Sequence, residues 1–440
     1  MSAHAVSRYH LEPGGSIAGE LRVPGDKSIS HRALMLGGIA EGTTEVSGFL
    51  ASEDCLATLA ALEALGVAIE RPERERVIVR GAGLDGLRAP SRPLDMGNAG
   101  TAMRLFMGLL AGRPFDSTLI GDASLMRRPM ERVAVPLRQM GARITTENGR
   151  PPVRIEGGQP LHAIDYDLPV ASAQVKSAIL LAGLTASGET RVTEPAPTRD
   201  HTERMLAAFG VRVDRRGATA VLAGGQRLRA TRIEVPSDFS SAAFFLVAGC
   251  LAARSGLTLK GVGINPTRTG LIEMLRAMGA DIRVRPRIER TASGEPAADI
   301  EVHASALRGI EVPRALVPLA IDEFPVFFIA AACAEGDTLV RGAEELRVKE
   351  TDRLAAMAEG LGRLGVEHEL LPDGLKVRGR GGFRGGTVDS HGDHRIAMAF
   401  AIASLRAEAP IEVLDVANVA TSFPGFVEIA RGAGVPIEAA

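Results

Sequence analysis

One pattern of apolar and polar positions recurs along the chain: an amphipathic helical stretch, a glycine, then a short run of β-forming residues. It reads "LEALGVAIE", "LRQMGARIT", "LAAFGVRVD", "LRAMGADIR", "LGRLGVEHE" and "ARGAGVPIE", with its glycines at Gly66, Gly141, Gly210, Gly279, Gly365 and Gly434. The intervals are 75, 69, 69, 86 and 69 residues, and the long one holds a polar insertion, "RPRIERTASGEPAAD". A glycine that closes an amphipathic helix is a C-cap in the left-handed region, where a Cβ would be strained. Each copy follows a helix of small apolar residues and a β-rich stretch, as in "ALMLGGIAEGTTEVSGF" and "FFIAAACAEGDTLVRGA". The predicted unit is therefore helix, strand, helix, strand with further strands, repeated at a period of about 70 residues. Helix-glycine-strand is common in α/β proteins, but six near-periodic copies point to internal repetition.

A polar cluster, "VPSDFSS" at 235–241, separates three units from three. The extended segment before Gly25 is predicted to pair with the second half, so the chain crosses twice between lobes and makes a hinge with a cleft. The expected class is α/β with two domains, one formed by 1–25 plus 237–440 and the other by 26–236. A chain of 440 residues is long for one core, and domains of about 200 residues are the default.

Charge narrows the function. Fifty-one Lys and Arg nearly balance 53 Asp and Glu, so no global field recruits nucleic acid or an anionic membrane, and any cationic site is local. Cys55, Cys250 and Cys333 are far apart and form no metal or disulfide pattern, which suits a reducing cytoplasm. The opening "MSAHAVSRYHLEPGGS" has no apolar core of a signal peptide. "SAAFFLVAGCLAA" and "FPVFFIAAACA" are too short to span a bilayer and are predicted to be buried helices.

The segments that interrupt the repeat carry the chemistry. "VPGDKSISHR" (23–32) sets Lys27, Ser28, Ser30 and Arg32 just after a Pro-Gly turn. The others are "GNAGTAMR" (97–104), "LMRRPMER" (125–132), "VASAQVKSA" (170–178), "PTRDHTER" (197–204), "AIDEFP" (320–325), "RVKETDR" (347–353) and "GDHRIAM" (392–398). Most precede or begin an apolar helix, where unpaired N–H groups and the helix dipole favour an anion. Arg adds a bidentate fork and Lys a compact charge. The set describes a pocket for small, highly anionic ligands.

Taken singly, each segment has a plainer reading. Ser28 or Ser30 suits an ordinary N-cap, and "LMRRPMER" a solvated turn. Arg353 suits a surface helix pair with Glu350 or Lys349. "GDKS" lacks the glycine spacing of a P-loop. His391, Asp393 and His394 have no partner segment at metal-ligand spacing. Asp322 and Glu323, between two apolar stretches, are either a helix cap or acid/base groups.

Together, and in this order, "PGDKSISHRA", "GNAGTAMR", "RRPM", "SAQVKSA", "RVKETDR" and "DHRIAMAF" resemble the 3-phosphoshikimate 1-carboxyvinyltransferase family, also called EPSP synthases, over nearly the whole chain. The resemblance implies an inside-out α/β barrel of two domains, each built from three βαβαββ units around buried parallel helices, closing on the substrates. It implies transfer of the enolpyruvyl group of phosphoenolpyruvate (PEP) to the 5-hydroxyl of shikimate 3-phosphate in the shikimate pathway of aromatic amino acid biosynthesis. Lys27, Ser28, Arg32, Ser172, Ala173, Gln174, Arg199, Asp322 and Lys349 would hold shikimate 3-phosphate. Lys27, Gly100, Arg128, Gln174, Arg353 and Arg395 would hold PEP, with Asn98, Thr101 and His394 nearby. Such an addition and elimination needs two acid/base groups and a cationic cage, and no metal or redox cofactor. Asp322 is assigned as base for the 5-hydroxyl and Glu350 as proton donor to C3 of PEP, assisted by Lys27. The expected protein is a cytoplasmic monomer whose partners are these two small molecules, with no nucleic acid or membrane.

The departures from the family pattern are informative. "NVATSFPGF" has Thr421 and no lysine where some members contact the PEP phosphate. Arg199 stands where others have tyrosine, Ala173 where some have serine, and Leu105 where others have proline. These features look like the family's second major sequence class. Gly100 is the small residue of the inhibitor-sensitive form, in which an alanine would crowd glyphosate, so sensitivity is expected. The sister transferase acting on UDP-N-acetylglucosamine usually has a cysteine in the loop corresponding to 121–130 and an asparagine at the place of Ser28; "GDASLMRRPM" has no cysteine. A non-catalytic anion-binding repeat protein is the other alternative, opposed by the presence of Asp322 and Glu350. Balanced charge, two tyrosines and no tryptophan also disfavour nucleic acid.

Overall fold

The computed structural model describes residues 7–287 and 294–440. In chain order its α-helices are α1 (Lys27–Ile39), α2 (Glu53–Ala64), α3 (Gly100–Leu110), α4 (Glu131–Gln139), α5 (Ala173–Gly183), α6 (His201–Ala208), α7 (Phe239–Ala252), α8 (Gly270–Ala277), α9 (Phe324–Cys333), α10 (Arg353–Arg363), α11 (His394–Ala403) and α12 (Phe426–Ala433). Every even-numbered helix ends at one of the six glycines picked out by the pattern, all with φ between 81° and 105°. A strand follows each: Ala68–Glu73, Arg143–Glu147, Val213–Arg216, Asp281–Pro286, His368–Leu371 and Ile437–Ala439. Only a residue without a Cβ turns the chain this way at low cost, which is why glycine marks every one of these turns.

The odd-numbered helices are buried nearly all round. Thirteen residues of α7 and nine of α9 are buried, the two apolar runs noted above. No helix among the described residues is long and apolar enough to cross a membrane. Small sheets accompany the helices. In one, Arg232–Glu234 pairs parallel with Glu41–Ser47, followed by antiparallel Arg76–Ala82 and Ala68–Glu73. Four further sheets repeat this order of one parallel and two antiparallel pairings. The sixth, built on Glu335–Val340, has three strands, with parallel bridges from Arg308 and Glu311 along its open edge. The polar insertion is partly strand: pairing runs to Pro286 and resumes at Ala297, and 288–293 lie outside the described residues.

The described residues form two compact units. Unit 1 comprises 7–24, 237–287 and 296–440; unit 2 comprises 25–236 with 294–295. In unit 1, α9 packs on α7 and α11; in unit 2, α3 packs on α1 and α5. In unit 1, Arg8–Leu11 completes a sheet with Ile411–Leu414 and Ile437–Ala439. Because the inner helices have no exposed flank, a charged side chain beyond their first turns needs buried partners, as Arg32 on α1 and Arg104 on α3 have.

The α3–α5 approach depends on Gly108, where a Cβ would lie 2.1 Å from the Ala178 carbonyl oxygen. A Cβ at Gly210 has open space and only the positive φ against it. Gly210→Ala is therefore expected to cost about 1 kcal/mol, whereas Gly108→Ala should cost several times more by forcing two helices apart. Denaturant midpoints of the two variants measure the difference; equal losses would contradict this packing.

Candidate active site

In unit 2, three helix starts bring the predicted residues together. Asp26 caps α1 by accepting from the Ile29 N–H at 2.9 Å, so neither serine is the cap; Ser30 instead accepts from the Leu50 N–H. Lys27 pairs with Asp54 at 2.8 Å. Arg32 is tied at every nitrogen: Nε to Thr202 Oγ1 at 2.7 Å, Nη1 to the Ser28 carbonyl at 2.9 Å, and Nη2 to Ser177 Oγ at 2.9 Å. Burial lowers Arg32 to about 10; Glu203 and Asp26 oppose the shift and the Arg199 charge adds to it, so Arg199 lies within electrostatic reach.

The second group centres on α3 and α5. Arg104 Nη1 donates to Gln174 Oε1 at 2.6 Å, and Gln174 Nε2 donates to Thr101 Oγ1 at 2.9 Å. Ser172 caps α5 through the Val175 N–H, and Ala173 opens the helix. Arg128 is no part of a solvated turn: it is 8% exposed and donates to Asn98 Oδ1 at 2.5 Å and to Ser124 Oγ at 3.2 Å. A Cβ at Gly100 would stand 3.0 Å from Arg128 Nη1, so an alanine there would press on that guanidinium.

In unit 1, one guanidinium organises the rest. Arg353, at the start of α10, is 1% exposed rather than on a surface. Its Nε donates to Asp393 Oδ2 at 2.7 Å, Nη1 to Asp322 Oδ1 at 3.2 Å, and Nη2 to Glu350 Oε2 at 2.6 Å. Burial alone would lower the pKa of Arg353; the carboxylates of Asp393, Glu350 and Asp322 more than reverse that, and the group stays charged. Lys349 Nζ lies 3.4 Å from the same Asp322 oxygen, and Arg395 Nη1 donates to the Asp322 carbonyl at 3.0 Å. The pair of predicted acid/base residues thus shares one cation. Asp322 sits in the turn before α9, and Glu323 occupies that helix's N-cap position without a side-chain cap bond. Asp393 caps α11 through the Arg395 N–H and faces Arg353, whereas His391 bonds Glu359.

Several partners escaped the sequence reading. Asp54, Thr202 and Ser177 hold Lys27 and Arg32 from 27, 170 and 145 residues away, and no local spacing betrays them. Arg104 was visible one turn from Thr101, but its bond to Gln174 was not.

The same fold occurs in the enolpyruvyl transferase NikO from Streptomyces tendae, with a TM-score of 0.81 and 18% identity over 99% of each chain. The EPSP synthase structure from Acinetobacter baumannii is nearer, with a TM-score of 0.89 and 54% identity over 99% of this chain and 100% of that one. At 54% identity over nearly the whole of both chains, this likeness makes the chain an enolpyruvyl transferase. Residues 11–429 match the model of EPSP synthase (3-phosphoshikimate 1-carboxyvinyltransferase). Curated 3-phosphoshikimate 1-carboxyvinyltransferases from Alkalilimnicola ehrlichii and Methylococcus capsulatus are each 62% identical, covering 98% and 97% of this chain and 96% and 97% of theirs. The chain belongs to the EPSP synthase family.

His31 gives a pH test of the folded site. Burial, reinforced by the charges of Lys27 and Arg32, pushes it from 6.5 down to about 3, and its ring bonds Thr58 Oγ1 at 2.7 Å. The unfolded chain takes up this proton and the folded one does not. Stability present above pH 6.5 is therefore lost as pH falls toward 3, by up to about 1.4 kcal/mol per pH unit. His31→Gln should flatten that loss when urea midpoints at about pH 7 and pH 4.5 are compared; an unchanged slope would contradict the buried neutral ring.

Proposed function

We propose that this chain transfers the enolpyruvyl group of PEP to the 5-hydroxyl of shikimate 3-phosphate through the residues just described. The family membership carries the reaction, and the single observation that carries the residue roles is the Arg353 guanidinium gripping both Asp322 and Glu350. Lys27, Ser28, Arg32, Ser172, Ala173, Gln174, Arg199, Asp322 and Lys349 hold shikimate 3-phosphate. Lys27, Gly100, Arg128, Gln174, Arg353 and Arg395 hold PEP. What supports this is that Lys27, Arg353 and Arg395 stand at helix starts and that Arg32, Arg128 and Arg353 are held in buried hydrogen bonds, oriented before any ligand arrives.

Asp322 takes the 5-hydroxyl proton as that oxygen attacks C2 of PEP, and Glu350 delivers a proton to C3, with Lys27 assisting. The tetrahedral intermediate returns the C3 proton and expels phosphate, whose growing charge the arginines stabilise. On the same reading the two domains run 1–25 with 237–440 and 26–236, each with three βαβαββ repeats of an inside-out barrel. The recurring sheet order and the six glycine turns support it. The protein then acts in the cytoplasm as a monomer, needing neither metal nor redox cofactor for this chemistry, and Gly100 leaves it open to glyphosate.

Phosphate release from PEP is the direct test. It should require shikimate 3-phosphate and fail with UDP-N-acetylglucosamine; the reverse would overturn the acceptor. Asp322→Asn and Glu350→Gln should each lower kcat by about 10²–10⁴-fold, and near-normal turnover in either would remove that residue's role.

A further inference from the structure

Unit 1 holds a second buried charge cluster behind Arg395. Arg268, in the loop before α8, donates from Nη2 to Ser240 Oγ at 2.5 Å, and that hydroxyl donates to Glu323 Oε1. The same carboxylate oxygen lies 3.8 Å from Arg268 Nη2 and 3.8 Å from Arg395 Nη1. Arg268, Ser240 and Glu323 are exposed by only 4, 4 and 2%. Asp238, which caps α7 through the Ser240 N–H, lies 3.5 Å from Arg268 Nη2. One buried carboxylate oxygen is therefore divided between two guanidiniums, and the cluster joins the starts of α7, α9 and α11. At such low exposure a carboxylate that loses one cation is poorly compensated by water and draws more strongly on the cation that remains.

We propose that Arg268 is a positioning residue: by sharing Glu323, it keeps Arg395 from being captured and leaves its guanidinium available to the PEP anion. The proposal rests on the assignment of Arg395 to PEP made above. It concerns no contact of Arg268 with substrate; Arg268 acts through Glu323, and Ser240 relays the interaction.

Steady-state kinetics with PEP varied at saturating shikimate 3-phosphate, and the converse, test it. Arg268→Met should raise KM for PEP about tenfold, with much smaller changes in kcat and in KM for shikimate 3-phosphate. Arg268→Lys, which keeps the charge, should stay within about threefold of the parent. Adding Glu323→Gln to Arg268→Met should restore most of the PEP affinity, because a neutral amide no longer draws Arg395 away. A purely structural role predicts the opposite, a double variant at least as impaired as the single one. Glu323→Gln alone should leave KM for PEP the same or lower, which keeps the test open if Arg268→Met does not fold. The proposal is overturned by an unchanged KM for PEP in Arg268→Met, by equal rises in both KM values, by no recovery in the double variant, or by a raised KM in Glu323→Gln alone. Arg395→Met separates the two layers: an unchanged KM for PEP there removes the assignment of Arg395, and the proposal with it.

Discussion

A guanidinium taken almost wholly out of water, with three carboxylates around it, is the constraint on which unit 1 depends. Arg353 is 1% exposed and reaches Asp393, Asp322 and Glu350 with separate nitrogens. Removing the guanidinium would leave the fully buried Asp393 without its cation, a loss that for a buried pair typically costs about 3–5 kcal/mol. The fork geometry of arginine fixes direction as well as charge, so the turn before α9, the segment before α10 and the start of α11 are registered against one planar group. Asp322 and Glu350 are thereby held at fixed places by one guanidinium.

The fold explains why the polar machinery gathers where it does. The odd-numbered helices are buried along their length, and a charge in mid-helix there would lack both water and a partner. Their first turns are the tolerated places, since unpaired N–H groups and the dipole already favour polar and anionic neighbours. Lys27 on α1, Thr101 on α3, Gln174 on α5, Ser240 on α7, Glu323 before α9 and Arg395 on α11 all obey this rule. Charges further in need partners of their own: Lys176 in α5 has Glu194 at 3.0 Å and Glu203 at 2.7 Å, Arg32 in α1 has Thr202 and Ser177, and Arg104 in α3 has Gln174.

How much of this was legible in the sequence follows from range. A glycine at a C-cap answers to its own backbone angle, so all six turns could be read from local pattern alone. Helix starts were legible for the same reason, because a short polar stretch beside an apolar run is a local signal. The plainer reading of the Arg128 segment as a solvated turn fails because its partner Asn98 is 30 residues away, beyond any local signal. The plainer reading of Arg353, a surface pair with Glu350 or Lys349, fails on burial, which depends on Asp393, 40 residues on. Ser28 and Ser30 suit a cap by residue type, but Asp26, two and four residues before them, takes that role. Arg268 gave no signal at all, since its meaning lies in three helix starts that only folding assembles.

The most direct test of the central claim is kcat of Arg353→Lys, measured on protein shown by circular dichroism to keep its fold. Lysine keeps the charge but cannot offer separate nitrogens in a plane to three carboxylates. The account predicts a fall of at least about 100-fold, from misplaced acid/base groups. A folded variant with kcat within about threefold of the parent would contradict it, because Asp322 and Glu350 would then need no common fork to do their work.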